Sequence, residues 1–174
     1  MVEAQALGFV LQRSPHRQTH FKHLKEELIE PSCSEARSFL ETWRDHDDRG
    51  GMIVGRHFPT RRWSGLLPHV ALLEKTRDDF RVRLIGFGLF CFYGVDLRGK
   101  HLSEIHAQER YRLRYGELSD VLESGRPHVS RATVRDGRET LLSREILSLP
   151  VLASDGCTRL VLVASFWTDR RWLN

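Results

Sequence analysis

Residues 83–105 read RLIGFGLFCFYGVDLRGKHLSEI. The stretch opens as the end of a strand, because Phe80, Val82 and Leu84 alternate with Arg81 and Arg83 at a period of two. It passes through Phe87, Phe90, Cys91, Phe92 and Tyr93, then closes on a polar turn and a short helical segment. Those aromatic positions belong to an active site, a cofactor pocket or a core, and the chain on either side decides which.

Upstream, HVALLEKT (69–76) is a second strand-like run, joined to the first through Asp78-Asp79. A short polar turn between two such runs predicts a hairpin. Downstream, ERYRLRYGELSDVLESG (109–125) carries Tyr111, Tyr115, Leu118 and Leu122 on one helical stripe, with Gly125 as C-terminal cap and Pro127 as stop. The chain then reads as a three-strand meander. PHVSRATVR, RETLLSREILSLPVLA and TRLVLVASFWT are separated by Asp136-Gly137 and Asp155-Gly156. Asp-Gly suits the positive φ angles of a tight type I′ hairpin. LVLVASFW is apolar almost throughout, as expected of a central strand covered on both faces.

Nearer the N-terminus, residues 1–16 leave a strand or an arm open. A helix is expected from Thr19, with Phe21, Leu24 and Leu28 on one face and Pro31 as its stop. A second helix is expected to start on a Ser32/Glu35 capping box, to carry Ala36, Phe39, Leu40 and Trp43 as its apolar stripe, and to end at Gly50-Gly51. GMIVGRHFPTRRWSGLLPH (51–69) reads as loop with one helical turn. The whole predicts an α+β fold: one five-stranded antiparallel sheet, helices crossing one face, and an N-terminal helical extension. The expected division is 1–68 extension and loop, 69–169 sheet domain, 170–174 tail.

The chain has 27 basic and 23 acidic residues, a net charge of +4 spread along its length. Nucleic-acid binders more often concentrate such charge, so no nucleic-acid partner is expected. No apolar run reaches the length of a membrane span, and Glu3 stands where a signal peptide would be basic. Cys33, Cys91 and Cys157 form no disulfide framework, which points to a reducing, cytoplasmic setting.

The segment from His69 to Asp169 resembles a PAS domain, on its element order and on YGVDLRGKHLSEI, which looks like that family's Asp-Leu-x-Gly-Lys turn followed by a Leu-Ser-Glu-Leu-type helix. The run WRDHDDRGG…LLPHVALLE…DFRVRLIGFGLFCFYGVDLRGKHL is similar to a free-standing bacterial PAS subfamily found chiefly in alphaproteobacteria. The similarity spans roughly residues 35–168. Two departures lie near the mouth of the expected cavity. FPTRRWSGLLPH lacks the subfamily's Asp-Pro element, and Phe87 replaces the threonine after RLxG.

The resemblance implies a sensory or regulatory module that is not an enzyme. It acts through a small apolar ligand, an unidentified signalling protein, or both. Phe87, Phe90, Tyr93, Leu102, Ile105, Tyr111 and Leu118 are expected to line the space between helices and sheet. Leu147, Leu149, Val163 and Phe166 are expected to face them. They either fill the space as a core or enclose a ligand. Phe39, Leu40 and Trp43 are candidates for a homodimer or partner interface, against packing within the monomer. The chain stops at Asn174, soon after the last strand, so output is expected to pass through a bound partner or a second copy.

Cofactors fare poorly. Light-sensing relatives join a cysteine to flavin inside an Asn, Arg and Gln set, whereas Cys91 is flanked by Phe90, Phe92 and Tyr93 and reads as a buried, inert thiol. His106 is the nearest choice for a haem ligand and reads better as a turn histidine. His16, His20 and His23 would share a helical face, yet no carboxylate or cysteine completes a metal set. Gly86-Phe-Gly88 begins like a dinucleotide fingerprint, but Cys91 stands where its third glycine belongs. Asp120, Glu123 and Glu145 are scattered carboxylates with no evident pairing, and the hydrolase, zinc-protease and P-loop signatures are absent.

Overall fold

A computed structural model describes residues 21–136 and 138–169. Six strands form one antiparallel sheet: β1 (Phe21–Leu28), β2 (Val70–Lys75), β3 (Phe80–Ile85), β4 (His128–Asp136), β5 (Glu139–Leu152) and β6 (Arg159–Asp169). Their order across the sheet is β1-β4-β5-β6-β2-β3. Helix α1 (Ser34–Asp47) and a 3₁₀ segment (Arg61–His69) precede β2, while α2 (Phe87–Tyr93), α3 (Leu102–Ile105) and α4 (Gln108–Ser124) connect β3 to β4.

The fold is α+β, and the expected hairpin and meander are both present. Beta6 joins them, pairing with β5 on one side and β2 on the other. Its side chains alternate between two cores, as strand geometry requires. Leu160, Leu162, Ala164 and Phe166 pack with Ala36, Phe39, Leu40 and Trp43 of α1, while Val161 and Val163 pack with Leu118, Val121 and Leu122 of α4. Each Leu, Val or Phe side chain among them contributes about 1.5–3 kcal/mol when fully buried. The predicted central strand is therefore covered on both faces.

The sheet has six strands where five were expected, because residues 21–28 are a strand and not a helix. Beta1 lies along β4 from Phe21 opposite Asp136 to Leu28 opposite Val129. The spacing of Phe21, Leu24 and Leu28 suits a helix, yet the open edge of β4 offers a backbone ladder along the whole segment. Tertiary pairing here overrides local propensity. Among the described residues, 21–68 hold a strand, one α-helix and most of the 3₁₀ segment.

Three local expectations also change. The capping box does not form: α1 starts at Ser34 after Cys33, without a side-chain cap, because Ser32 is bonded elsewhere. The loop at 51–69 contains nine residues of 3₁₀ helix, with Trp63 and Leu66 buried in the α1-side core. The β5–β6 connection is not a type I′ turn, since only Gly156 has positive φ (69°). It runs from Ala153 to Thr158 and is held by the Asp155 carboxylate, which accepts from the Cys157 and Thr158 amides at 2.8 Å each. Gly137 of the other Asp-Gly pair lies outside the described residues.

Among the described residues, no helix is long and apolar enough to cross a membrane.

Candidate functional site

The residues predicted to line one pocket lie on two opposite faces of the sheet. Leu102, Ile105, Leu118 and Val163 meet in the core beneath α3 and α4, with Tyr93 and Tyr111 packed at its margin. Leu147, Leu149 and Phe166 belong to the core on the α1 side. The reason is strand parity: Val163 and Phe166 are an odd number of residues apart, so they point to opposite faces. Phe87 is 73% exposed and Phe90 36%, and their rings stack on each other at 5.8 Å on the outside of α2.

Phe39, Leu40 and Trp43 are corrected likewise. All three are buried within the chain. Phe39 sits edge-on to Phe58 and Trp63, at 5.4 and 4.9 Å, and close to Phe166. The Trp43 indole donates to the Pro150 carbonyl at 2.8 Å. The stripe that suggested an interface is satisfied by the chain's own sheet.

Beneath α4 the sheet carries polar groups that the sequence reading did not single out. His128 on β4 is opposite Ser148 on β5, and Ser130 is opposite Ile146, which is opposite Ser165 on β6. All share the face that packs on α4. Ser130 and Ser148 are fully buried, and neither hydroxyl has a hydrogen-bond partner. A buried hydroxyl left unpaired costs about 1–3 kcal/mol. His128 stands 3.5 Å from Glu117 and 3.7 Å from Glu27, and burial holds its imidazole below the usual histidine range. Nearby, the Arg114 guanidinium meets Glu117 at 3.0 Å, and Lys25 of β1 pairs with the same carboxylate. The available signal was the period of two in HVSRA, which sets His128 and Ser130 on the face of Ala132.

On the opposite face Glu145 forms a clasp. Its side chain is wholly buried. One carboxylate oxygen accepts from the Ser32 hydroxyl and amide and from Arg131 Nη2 (2.9 Å), while the other accepts from the Cys33 amide (2.9 Å). Burial pushes this carboxyl up, but the bonds from Ser32, Cys33 and Arg131 outweigh it and hold it below the usual range. The row continues outward to Glu26 on β1, 3.5 Å from Arg131. Glu145 thus fastens the link between β1 and α1 to the centre of the sheet. Asp120 and Glu123 stay on the exposed side of α4, where Glu123 meets Lys75 at 3.1 Å.

The stretch at 83–105 divides into two functions of packing. Gly86 and Gly88 are needed because α2 lies backbone-close to the 3₁₀ segment. A β-carbon on Gly86 would fall 2.1 Å from the Leu67 carbonyl oxygen, and one on Gly88 2.7 Å from the His69 ring. The glycine pair is therefore a packing device. The DLRGK turn runs along β3, with Val82 donating to the Lys100 carbonyl and accepting from Gly99. Asp79, in the β2–β3 turn, accepts from the Ser103 amide and hydroxyl at 3.2 and 2.7 Å, which pins α3.

Cys91 is exposed on α2, not buried as expected, because the helix turns Leu89 inward instead. Beside it Phe92 packs on Trp167 at 5.3 Å, and the Arg144 guanidinium lies over both rings at 4.8 and 5.4 Å. His106 occupies the joint between α3 and α4, donating its amide to Leu102. His16 and His20 lie outside the described residues, and His23 falls in a strand, which removes the helical spacing behind a three-histidine set. Among the described residues no group of three or more His, Cys, Asp or Glu side chains is placed to hold a metal. The depression lined by Gln108, Glu109, Arg112 and Leu113 lies open on the outer side of α4.

No family model, no curated protein and no solved structure matches this chain.

Proposed function

We propose that this chain is a PAS-like sensory or regulatory module, working by binding and not by catalysis. The observation that carries the reading is the position of β6. The C-terminal strand lies between the β4–β5 pair and the β2–β3 hairpin, and α2 to α4 span that connection. That arrangement supports the PAS resemblance, with one strand more than the five it implies; because fold alone does not fix function, the site must supply the rest.

The site is the interior beneath α3 and α4. Its walls are apolar, and its floor presents the Ser130 and Ser148 hydroxyls without protein partners. A small, mainly apolar molecule with one or two hydrogen-bonding groups would meet both demands. The same face of β5 also carries the buried Arg144, whose guanidinium lies over the Phe92 and Trp167 rings. Binding would shift the packing of α4 on the sheet. The clasp at Glu145 and the β1–β4 ladder would carry that shift to the N-terminal segment, from which a partner protein reads it. A cytoplasmic setting suits the three free cysteines.

The test is native mass spectrometry of the purified full chain beside a Ser130→Ala/Ser148→Ala variant. The expected result is a small molecule retained by the wild type and lost by the variant. A second reading, an interaction adaptor with a filled core, is favoured by the tight packing of Phe80 on Tyr115 (5.6 Å) under α4. A wild type that retains nothing, with both hydroxyls bonded to protein in a high-resolution crystal structure, would establish that adaptor and overturn the ligand site.

A further inference from the structure

The two ends of the sheet are closed differently. At one end, the outer edge of β3 is covered in part by the DLRGK turn, through the Val82 bonds to Gly99 and Lys100 and the Arg81–His101 bridge. At the other end, β1 uses one edge on β4, and its outer edge has no strand beside it among the described residues. An open edge of this length is a template for another strand unless it is blunted. Proteins usually blunt edges with proline, a bulge or charged side chains, lysine especially. Beta1, FKHLKEEL, has no proline, and its ladder with β4 has no register shift. Its charges are of both signs and segregated: Lys22 and Lys25 precede Glu26 and Glu27.

That order is self-complementary in an antiparallel sense. A two-fold axis perpendicular to the sheet keeps each face on its own side, so residues set opposite each other must share a face. In the register that sets Leu24 opposite Leu24 of the second copy, Lys22 of each chain lies opposite Glu26 of the other. Both side chains belong to exposed residues. The neighbouring registers toward the end of β1 set Lys25 against Lys25 or Glu26 against Glu26 at the axis, and like charges directly opposite oppose pairing.

We propose that β1 pairs antiparallel with β1 of a second copy, centred on Leu24, so that the two sheets run on as one. This dimer stands independently of the ligand reading. It requires only an outer edge of β1 with no strand beside it among the described residues, and the charge order, and either conclusion can fail without the other.

The test uses the full chain. Sedimentation analysis should show a dimer for the wild type. Lys22→Glu and Glu26→Lys should each weaken it by about tenfold, equivalent to about 1.4 kcal/mol. The double variant should return to within about threefold of the wild type, because the reversed charges again lie opposite each other. Far-ultraviolet circular dichroism of each variant separates lost pairing from lost folding. In a Cys91→Ser/Cys157→Ser background, Leu24→Cys should cross-link two chains under mild oxidation. Opposed α-carbons of an antiparallel pair, about 4.5–5.5 Å apart, lie within disulfide reach. A monomeric wild type, a dimer indifferent to both charge reversals, or a dimer that Leu24→Cys fails to cross-link would overturn the proposal. So would a monomer whose outward β1 amides resist hydrogen exchange, since the chain's own residues 1–20 would then hold the edge.

Discussion

Arg131 and Glu145 face each other across β4 and β5, with Arg131 Nη2 2.9 Å from Glu145 Oε1. The carboxylate is wholly buried, whereas the guanidinium keeps 30% of its exposure. The asymmetry says which partner matters more. Arg131 can turn to water if the pair breaks, but the Ser32 and Cys33 amides that Glu145 accepts from would be stranded at the start of α1.

Glu145→Ala is expected to destabilise the chain by about 3 kcal/mol, at the lower end for a broken buried pair because Arg131 is partly solvated. Ser32→Ala is expected to cost about 1 kcal/mol alone and much less in the Glu145→Ala background, since both act through one network. Urea unfolding of the two single variants and the double variant checks this. Additive costs would mean that Ser32 and Glu145 act independently.

The clasp also gives stability a definite dependence on pH. The Glu145 carboxyl is lowered in the folded chain, so its stabilisation is complete above the ordinary carboxylate range, about pH 4.3, and is lost as pH falls through the lower folded value. Glu145→Gln should therefore melt below the wild type at neutral pH, with the gap closing in acid. His128 acts in the same direction at higher pH. Burial lowers it, so falling pH below about 6.5 removes stability that His128→Gln should keep. Melting temperatures at intervals from pH 3 to pH 8 separate the two.

Phe39 separates core from interface. Phe39→Ala is expected to cost about 3–5 kcal/mol in unfolding, as deletion of a buried aromatic ring does. It should leave the dissociation constant of any dimer unchanged wherever the variant remains folded. A loss of association without a loss of stability would return Phe39 to an interface.

Two glycines should respond in opposite directions. Gly86→Ala drives a β-carbon into the Leu67 carbonyl and should destabilise strongly, with α2 lifted from the 3₁₀ segment. Gly116 lies within α4 with open space around it, so Gly116→Ala should stabilise by about 0.5–1 kcal/mol. Thermal melts of both variants are sufficient, since the expected shifts differ in sign.

The sequence by itself determined the meander, the β2–β3 hairpin, α4 with its Gly125 cap, and the two-sided burial of Leu160–Phe166. Each is written in a short-range period or a turn, where neighbouring residues carry the whole signal. Tertiary structure alone decided the rest. Residues 21–28 became a strand because β4, a hundred residues away, had an edge to fill. Ser32 left its helix because Glu145 on β5 offered a stronger acceptor than a local cap. The pocket list divided because adjacent strand positions face opposite cores, and which apolar residues meet depends on register between distant strands. Periodicity reports that a face will be buried; only the packed sheet, through hydrogen-bond partners remote in the chain, decides against what.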